Sequence, residues 1–300
     1  MIESVNLKKS FGKKLALDSL NLSIEKGSIY GLVGTNGGGK TTFMNLATGV
    51  YIPDEGAVFI EEDVVYDNPK LKQKIFYIPD DAYYFQNFNI NQMANFYKNI
   101  YENWDENLYQ KLTNSFPLDP KIKLKSYSKG MKRQAFIILG LSTSPEYLFL
   151  DEVFDGLDAV VRIAIRKIMA DIVSEKQMTV VIASHNLREL EDFCDTVGLV
   201  HGGKLILQQG LDSMSCNYSK AQIAFEEIPD FSELLENKNI LSVHQNGSFI
   251  TVSSKLCSDD LEELMEKYNP KFSQFIPLSL EEVFISEMEA IGYDYNQIVL

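Results

Sequence analysis

The chain has 300 residues and a formal net charge of −14, and this length suits one large domain or two unequal ones. No apolar run approaches the ~18 residues that cross a bilayer, so the sequence predicts no membrane span. Residues 211–300 carry 16 acidic and 5 basic residues, an excess that repels phosphate backbones and argues against a nucleic-acid partner. The change in composition near Gly210 predicts two domains, over residues 1–210 and 211–300.

The first element that carries chemistry is a phosphate-binding loop between a strand and a helix. The short apolar run Ile29–Val33 is typical of a buried strand, and a helical pattern begins at Thr41. Between them the sequence has the form GxxxxGK followed by Thr, in which glycines let backbone N–H groups surround a phosphate at the positive end of a helix. Lys40 is predicted to reach the β- and γ-phosphates, and the Thr41 hydroxyl to bind Mg²⁺. The predicted phosphate-binding residues are Gly34, Thr35, Asn36, Gly37, Gly38, Gly39, Lys40, Thr41 and Thr42.

The alternation of strands and helices is interrupted after a strand-length run at Ile75–Ile78. Helical patterns are predicted at Asn91–Ile100, Glu106–Phe116 and Lys129–Leu141. They predict a helical subdomain over about residues 89–142. The stretch from Tyr83 to Trp104, which overlaps the start of this subdomain, is rich in aromatic residues, which form the core of the subdomain in the simplest interpretation. They are Tyr83, Tyr84, Phe85, Phe88, Phe96, Tyr97, Tyr101 and Trp104.

Two later strands end in polar residues suited to catalysis. The run from Tyr147 ends in Asp151 and Glu152, and the run from Thr179 leads to His185. Because ligands lie at the carboxyl ends of strands in open α/β sheets, these side chains are predicted to meet the phosphate loop. Asp151 suits a Mg²⁺ ligand, Glu152 a general base that activates water, and His185 a partner of the γ-phosphate. The alternatives are a solvated acidic loop and a structural histidine.

The remaining pattern of residues 1–210 completes an α/β fold. Helices are predicted at Val160–Ser174 and Leu187–Phe193, and strands at Val197–Val200 and Lys204–Leu207 with a glycine hairpin between them. Strands that alternate with helices favour a parallel sheet covered on both faces.

The tail from residue 211 predicts a small, acidic α+β domain. Its role stays open among regulation, dimerisation and a cover over the edge of the core. Its predicted elements are strands at Ala224–Ile228, Ile240–His244 and Phe249–Val252, a helix at Asp259–Lys267, and a capping box of Ser279 and Glu282 at the start of another helix.

Together the motifs of residues 1–210 resemble those of the nucleotide-binding subunits of ATP-binding cassette (ABC) transporters. Asp151 and Glu152 match the Walker B aspartate and the catalytic glutamate of that family, and His185 matches its switch histidine. Three further matches fall in the family's order. They are the LSGGQ-like signature with Ser128 and Gly130, the D-loop with Asp158, and Phe11 at the aromatic position that stacks on adenine.

The resemblance implies a fold and a mechanism. The fold is a P-loop NTPase core with a mainly parallel sheet, an N-terminal antiparallel β part, the helical subdomain and the C-terminal accessory domain. The implied function is ATP hydrolysis with Mg²⁺ in a head-to-tail dimer of two nucleotide-binding subunits. Ser128 and the Gly130 amide would then hold the γ-phosphate of ATP bound to the partner.

The same resemblance implies a place in the cell. The chain is expected in the cytoplasm, on the inner face of the membrane, where it drives transport through a separate permease subunit. The expected direction is export, because the last predicted helix of the tail resembles the end of many bacterial exporter-type ATPases of this family. The aromatic region would then provide a groove for a short helix of that subunit. One alternative is a soluble ABC ATPase of a non-transport machine. Another is a subunit that holds ATP without turnover, which intact Glu152 and His185 argue against.

Several positions depart from the family pattern. Asp80 follows the strand at Ile75–Ile78, where the family usually has Gln, and its carboxylate is a further predicted Mg²⁺ ligand. The signature has Tyr127, Lys129 and Met131 in place of Leu, Gly and Gln. These changes leave the catalytic groups intact but allow for pairing with a different subunit.

Overall fold

The computed structural model of the chain describes residues 1–226 and 229–290, and it divides into two compact units. Unit one covers Met1–Gln208, and unit two begins at Gln209. The predicted strand Ala224–Ile228 is misplaced, because the observed strand covers Ser219–Ala224 and Phe225 and Glu226 follow it. Glu227 and Ile228 lie outside the described residues, as does the end of the predicted domain after residue 290.

Unit one contains the strands and helices of an α/β core. Its strands are β1 (Ile2–Phe11), β2 (Lys14–Ile24), β3 (Ile29–Gly34), β4 (Glu55–Ile60), β5 (Asp63–Val64), β6 (Ile75–Ile78), β7 (Tyr147–Asp151), β8 (Thr179–Ser184), β9 (Thr196–His201) and β10 (Lys204–Gly210). Its helices are α1 (Lys40–Ala47), α2 (Pro69–Lys72), α3 (Ile90–Lys98), α4 (Glu106–Ser115), α5 (Lys129–Ser142), α6 (Ala159–Lys176) and α7 (Leu187–Phe193).

The main sheet has the strand order β10-β9-β3-β8-β7-β6, and β3 pairs in parallel with β8 on one side and β9 on the other. All six residues of β3 are buried, as are those of β8, which explains why these strands read as continuous apolar runs. Gly202 and Gly203, with φ of +55° and +78°, turn the chain between β9 and β10. The predicted parallel sheet is confirmed.

A second, antiparallel sheet lies over the first with the order β2-β1-β4-β5. Fully buried side chains of β1 and β2, such as Leu7 and Leu17, share one core with Tyr30 and Leu32 of β3 and with Phe43 of α1. The expected N-terminal antiparallel part is therefore present, and α1 is held between the two sheets.

The segment between β6 and β7 is helical and includes α3, α4 and α5. Asn89 and Gln92 form a reciprocal capping box that starts α3. α5 packs against both α3 and α4 and against β6, so the helix that begins after Ser128 connects this helical part to the main sheet.

Unit two is a β-α-β-β-α-β arrangement with one helix before it and one after it. Its elements are α8 (Leu211–Asn217), β11 (Ser219–Ala224), α9 (Ser232–Leu235), β12 (Ile240–Asn246), β13 (Phe249–Ser254), α10 (Ser258–Glu266), β14 (Phe272–Pro277) and α11 (Leu280–Ala290).

The antiparallel sheet of unit two has the order β12-β13-β11-β14, which is the split βαβ topology of ferredoxin-like folds. Leu234 of α9 and Leu261 of α10 cover Ile223 and Val252 on one face. The predicted capping box is present, since the Ser279 Oγ accepts from the Glu282 N–H at 3.3 Å. Within the described residues, no helix combines the length and the apolar character that crossing a membrane demands.

Candidate nucleotide site

The phosphate loop leaves β3 and enters α1 through backbone that only glycine accommodates. A Cβ at Gly34 would lie 2.0 Å from the carbonyl oxygen of Val200 in β9. Gly39 has φ of +115°, and a Cβ there would lie 2.6 Å from a methyl group of Leu17. Glycine therefore lets the loop lie directly against β9 and β2, with its N–H groups close to the start of α1.

Lys40 is folded back into the loop. Its ammonium group donates to the carbonyl oxygens of Gly34 at 2.7 Å and Thr35 at 3.4 Å. Burial lowers the pKa of Lys40, and the nearby carboxylates of Glu152 and Asp151 oppose that shift. The loop thus holds a largely buried ammonium group among acceptors, where an anionic phosphate would be a stronger partner.

Asp151 brings a buried carboxylate to the same place. Its side chain is 1% exposed, and its Oδ2 accepts from the Tyr77 hydroxyl at 3.4 Å. Burial raises the pKa of Asp151, while a hydrogen bond with Thr41 lowers it. Among the described residues its Oδ1 has no hydrogen-bond partner. A buried, unsatisfied carboxylate oxygen beside a threonine hydroxyl is a donor set that fits Mg²⁺.

Glu152 and His185 meet at the carboxyl ends of neighbouring strands. The His185 Nδ1 lies 2.7 Å from the Glu152 Oε2, and the His185 N–H donates to the same oxygen at 3.3 Å. Glu152 has φ of +51°, and its N–H donates to the Ala183 carbonyl at 2.9 Å. The backbone therefore holds the Glu152 carboxylate in one orientation, at the exit from β7.

The phosphate loop and Glu152 line one cleft of about 300 Å³, whereas Asp151 and His185 are not among its lining residues. Phe11 is exposed on its wall, with its ring edge-on to Tyr51 at 5.5 Å between centroids. The cleft brings together Phe11, the phosphate loop and Glu152, as the sequence predicted of one nucleotide site. Lys14 also lines it and was missed, because an exposed lysine at the end of a strand carries no distinguishing signal.

Ser128, Gly130 and Asp158 lie elsewhere in unit one. The Ser128 hydroxyl caps α5 by accepting from the Met131 N–H at 3.2 Å, and the Asp158 carboxylate caps α6 by accepting from Val161 at 2.9 Å. None of these predicted residues is part of the lining of the phosphate cleft.

Asp80 also lies apart from that cleft lining. Its carboxylate accepts a hydrogen bond from the guanidinium of Arg133 and lies 3.5 Å from the Lys129 ammonium group. To bind Mg²⁺ as predicted, the Asp80 carboxylate would have to give up its ion pair with Arg133. Sequence reasoning missed Arg133, because an arginine early in a helix is usually solvent-exposed.

Comparison with known proteins places this site in a family. Residues 17–155 match the model of the ABC transporter family. The ABC transporter ATP-binding protein YtrB of Bacillus subtilis is 31% identical over 96% of this chain and 98% of its own length. The lantibiotic transport ATP-binding protein SrtF of Streptococcus pyogenes is 34% identical over 71% of this chain and 92% of its own length.

Solved structures share the fold. A structure described as the ATP-binding subunit of an ABC transporter has a TM-score of 0.66 and 24% identity, and covers 71% of this chain and 91% of its own. A dimeric ATP-binding cassette in a post-hydrolysis state with ADP and Pi has a TM-score of 0.64 and 20% identity, over 70% of this chain and 99% of its own. With the site geometry and the relatives taken together, the chain belongs to the ABC transporter ATP-binding proteins and is an ATPase of that family.

Proposed function

We propose that the chain hydrolyses ATP in a head-to-tail pair and that this drives export through a separate membrane subunit. The observation that carries the proposal is the contact of 2.7 Å between Glu152 and His185, beside the phosphate loop. The names of two relatives refer to lantibiotic and bacitracin transport, which supports transport as the work that hydrolysis drives. The chain would then work on the cytoplasmic face of the membrane.

The residues of the nucleotide site divide the chemical work. The loop amides and Lys40 bind the phosphates, and Glu152 accepts a proton from the attacking water while His185 keeps its carboxylate oriented. Thr41 and Asp151 would hold Mg²⁺, which when bound supplies positive charge to the phosphate oxygens. Phe11 offers an exposed ring on which the adenine base can stack.

A second chain would complete the site. Ser128 and Gly130 lie at the N-terminus of the 14-residue helix α5, where free N–H groups and the helix dipole favour a phosphate. Since they are not part of the cleft lining of their own chain, the proposal assigns them, together with Asp158, to ATP bound by the partner. The partner is a second copy or a homologous subunit.

The membrane subunit would dock on the aromatic segment after β6. Residues 81–88 line an open cleft of about 680 Å³, and Tyr83 among them is 76% exposed. Tyr97 and Tyr101 instead pack against Phe76. The aromatic region thus divides into a packed part and an exposed part, and the exposed part suits a short helix that inserts from a partner.

We further propose that residues 1–210 act as the nucleotide-binding domain and that the acidic residues 211–300 form an accessory domain. The soluble ABC ATPase of a non-transport machine is not favoured. A relative named as an ABC transporter ATP-binding protein aligns along nearly the whole chain, the accessory region included.

The test is affinity purification of tagged Glu152→Gln protein from detergent-solubilised native membranes, with mass spectrometry of the bound proteins. With ATP present, a polytopic membrane protein is expected to copurify, and a Lys40→Ala control is expected to lose it. Recovery of ribosomes or DNA-associated proteins, with the chain wholly in the soluble fraction, would contradict the transport function and leave the ATPase chemistry intact.

A further inference from the structure

Arg133 is a buried cation that joins separate segments of unit one. It lies in the second turn of α5, and its side chain is 5% exposed. Its Nη2 donates to the Oδ1 of Asp80, and its Nη1 donates to the carbonyl oxygen of Asp155. The Asp155 carboxylate lies 3.9 Å from the same Nη1. One guanidinium therefore binds the segment after β6 and the segment after β7 together.

This bridge depends on the shape of the arginine side chain. A guanidinium presents five donors in a rigid plane, so that its two ends bind two acceptors at once, whereas a lysine ammonium is a single point. Within the described residues the Nε of Arg133 has no partner. The buried charge is therefore compensated mainly through Asp80 and Asp155, and loss of either contact leaves it poorly satisfied.

The bridged segments carry the groups of the proposed mechanism. Asp155 lies three residues after Glu152 and three before Asp158. The start of α5 approaches this segment closely, because a Cβ at Gly130 would lie 2.6 Å from the Gly156 carbonyl oxygen. We call residues 152–158 the catalytic segment. A shift of Arg133 would move this segment relative to α5.

We propose that Asp80 and Arg133 form a positioning pair for ATP hydrolysis, in which Asp80 acts through Arg133 rather than as a Mg²⁺ ligand. The inference rests on the proposed ATPase function. It also accounts for Asp80 at a position where the family pattern expects Gln. A carboxylate compensates the charge of a buried guanidinium, while a neutral amide offers one weaker acceptor and no charge.

The first experiment measures the ATPase activity of the full chain as a function of ATP and of Mg²⁺ concentration. For Asp80→Asn we expect kcat to fall about tenfold, because a small misplacement of catalytic groups is costly. The KM for ATP and the half-saturating Mg²⁺ concentration are expected to stay within about twofold. Asp80→Glu keeps the charge and is expected to recover most of kcat. Asp63→Asn, the same change at an exposed acid outside the proposed sites, is the control and should match the wild type.

The second experiment tests whether the two residues act as one unit. The double variant Asp80→Asn with Arg133→Gln is expected to be no slower than Arg133→Gln alone, because both changes break the same link. Hydrogen exchange of residues 152–158 is expected to be faster in both single variants, with nucleotide binding unchanged. This readout does not require turnover. Arg133→Gln removes a buried cation and can fail to fold. In that case kcat and hydrogen exchange of Asp80→Asn decide the question, because the Asp80 side chain is 55% exposed and its substitution leaves the fold intact.

Three results would overturn the pair. The first is a higher Mg²⁺ requirement in Asp80→Asn, which would make Asp80 a metal ligand. The second is a double variant whose loss of kcat equals the sum of the two single losses in free energy. The third is an Asp80→Asn variant in which both kcat and the hydrogen exchange of residues 152–158 are unchanged. A wild-type chain that binds ATP without hydrolysing it contradicts the proposed function instead. In that case the exchange of residues 152–158 still decides whether the pair positions the segment.

Discussion

Glu152 combines an unfavourable backbone conformation with contacts that aim its carboxylate. Its φ of +51° lies in a region that costs a non-glycine residue on the order of 1–3 kcal/mol. Hydrogen bonds to Ala183 and His185 offset this cost. An unfavourable backbone conformation persists only where contacts around it hold it in place. Because this one costs free energy, its effect is to orient the Glu152 side chain and not to stabilise the fold.

Glu152→Gln should therefore separate binding from turnover. Glutamine keeps the size of the side chain but cannot accept the proton of water, so we expect turnover to fall by at least ~100-fold. Nucleotide affinity should stay close to the wild-type value, and an ATP-bound pair should accumulate. Phosphate release and sedimentation velocity measure the two effects. Glu175→Gln, at an exposed acid near the end of α6, is the control, and equal rates in wild type and Glu152→Gln would contradict the role of Glu152.

Motif residues were predictable and single supporting residues were not. The phosphate loop, Asp151, Glu152 and His185 follow from short patterns in which spacing and residue type together specify the chemistry. Arg133 has no such pattern. Its role depends on Asp80, 53 positions earlier, and on a backbone carbonyl, which no local sequence rule relates to it.

At the scale of elements, a cluster of charged side chains joins the two sheets of unit one. Lys26 follows β2, Glu61 follows β4, and Lys74 and Glu146 precede β6 and β7. Lys74 lies 3.1 Å from Glu146 and 3.5 Å from Glu61, and Lys26 hydrogen-bonds Glu61. The Lys26 hydrogen bond is the main reason that the pKa of Glu61 is lowered to about 2.

This pKa predicts a pH-dependent stability. The folded-state pKa of Glu61 lies below its ordinary value of 4.5, so its stabilisation is fully present above pH 4.5 and is lost as pH falls toward about 2. Glu61→Gln should cost about 1 kcal/mol at pH 7, since solvent screens groups that are a third to a half exposed. Urea unfolding at a series of pH values measures it, with Glu62→Gln as the control. A difference that stays constant from pH 7 to pH 3 would refute this origin.

Strands buried on both faces were predicted with accurate bounds, while several amphipathic strands were missed. The predicted run Ile75–Ile78 is β6 itself. By contrast, β1 and β2 were largely missed. One of their faces is solvated and carries charged residues, and register shifts between them break the alternation that would identify a strand. β14 was missed for a similar reason, because most of its residues are exposed.

At the scale of the whole molecule, two exposed apolar side chains lie beside the catalytic segment. Val160 and Ile163, in the first turns of α6, are 77% and 68% exposed. They lie two and five residues after Asp158, which the proposed mechanism assigns to the interface with a second chain. Exposed apolar groups next to such an interface are expected to be covered when it forms.

Ile163→Arg should therefore weaken the ATP-dependent pair while leaving each cleft intact. We expect the dissociation constant of the pair to rise at least about tenfold, because a charge would be placed in a desolvated contact. Affinity of the single chain for a fluorescent ATP analogue should not change. Light scattering in the Glu152→Gln background measures the pair, with Ile122→Arg as a control at another exposed isoleucine. Pairing as tight as before would exclude α6 from the interface.

The central position of β3 also bears on how the protein is synthesised. Both neighbours of β3 come late in the chain, at residues 179–184 and 196–201. When the ribosome has released the first hundred residues, the GxxxxGK motif is already outside the exit tunnel, but the strands that flank it do not yet exist. Contacts so distant in sequence form slowly. The nascent chain thus gains its ability to hold ATP in a late step, close to the completion of unit one.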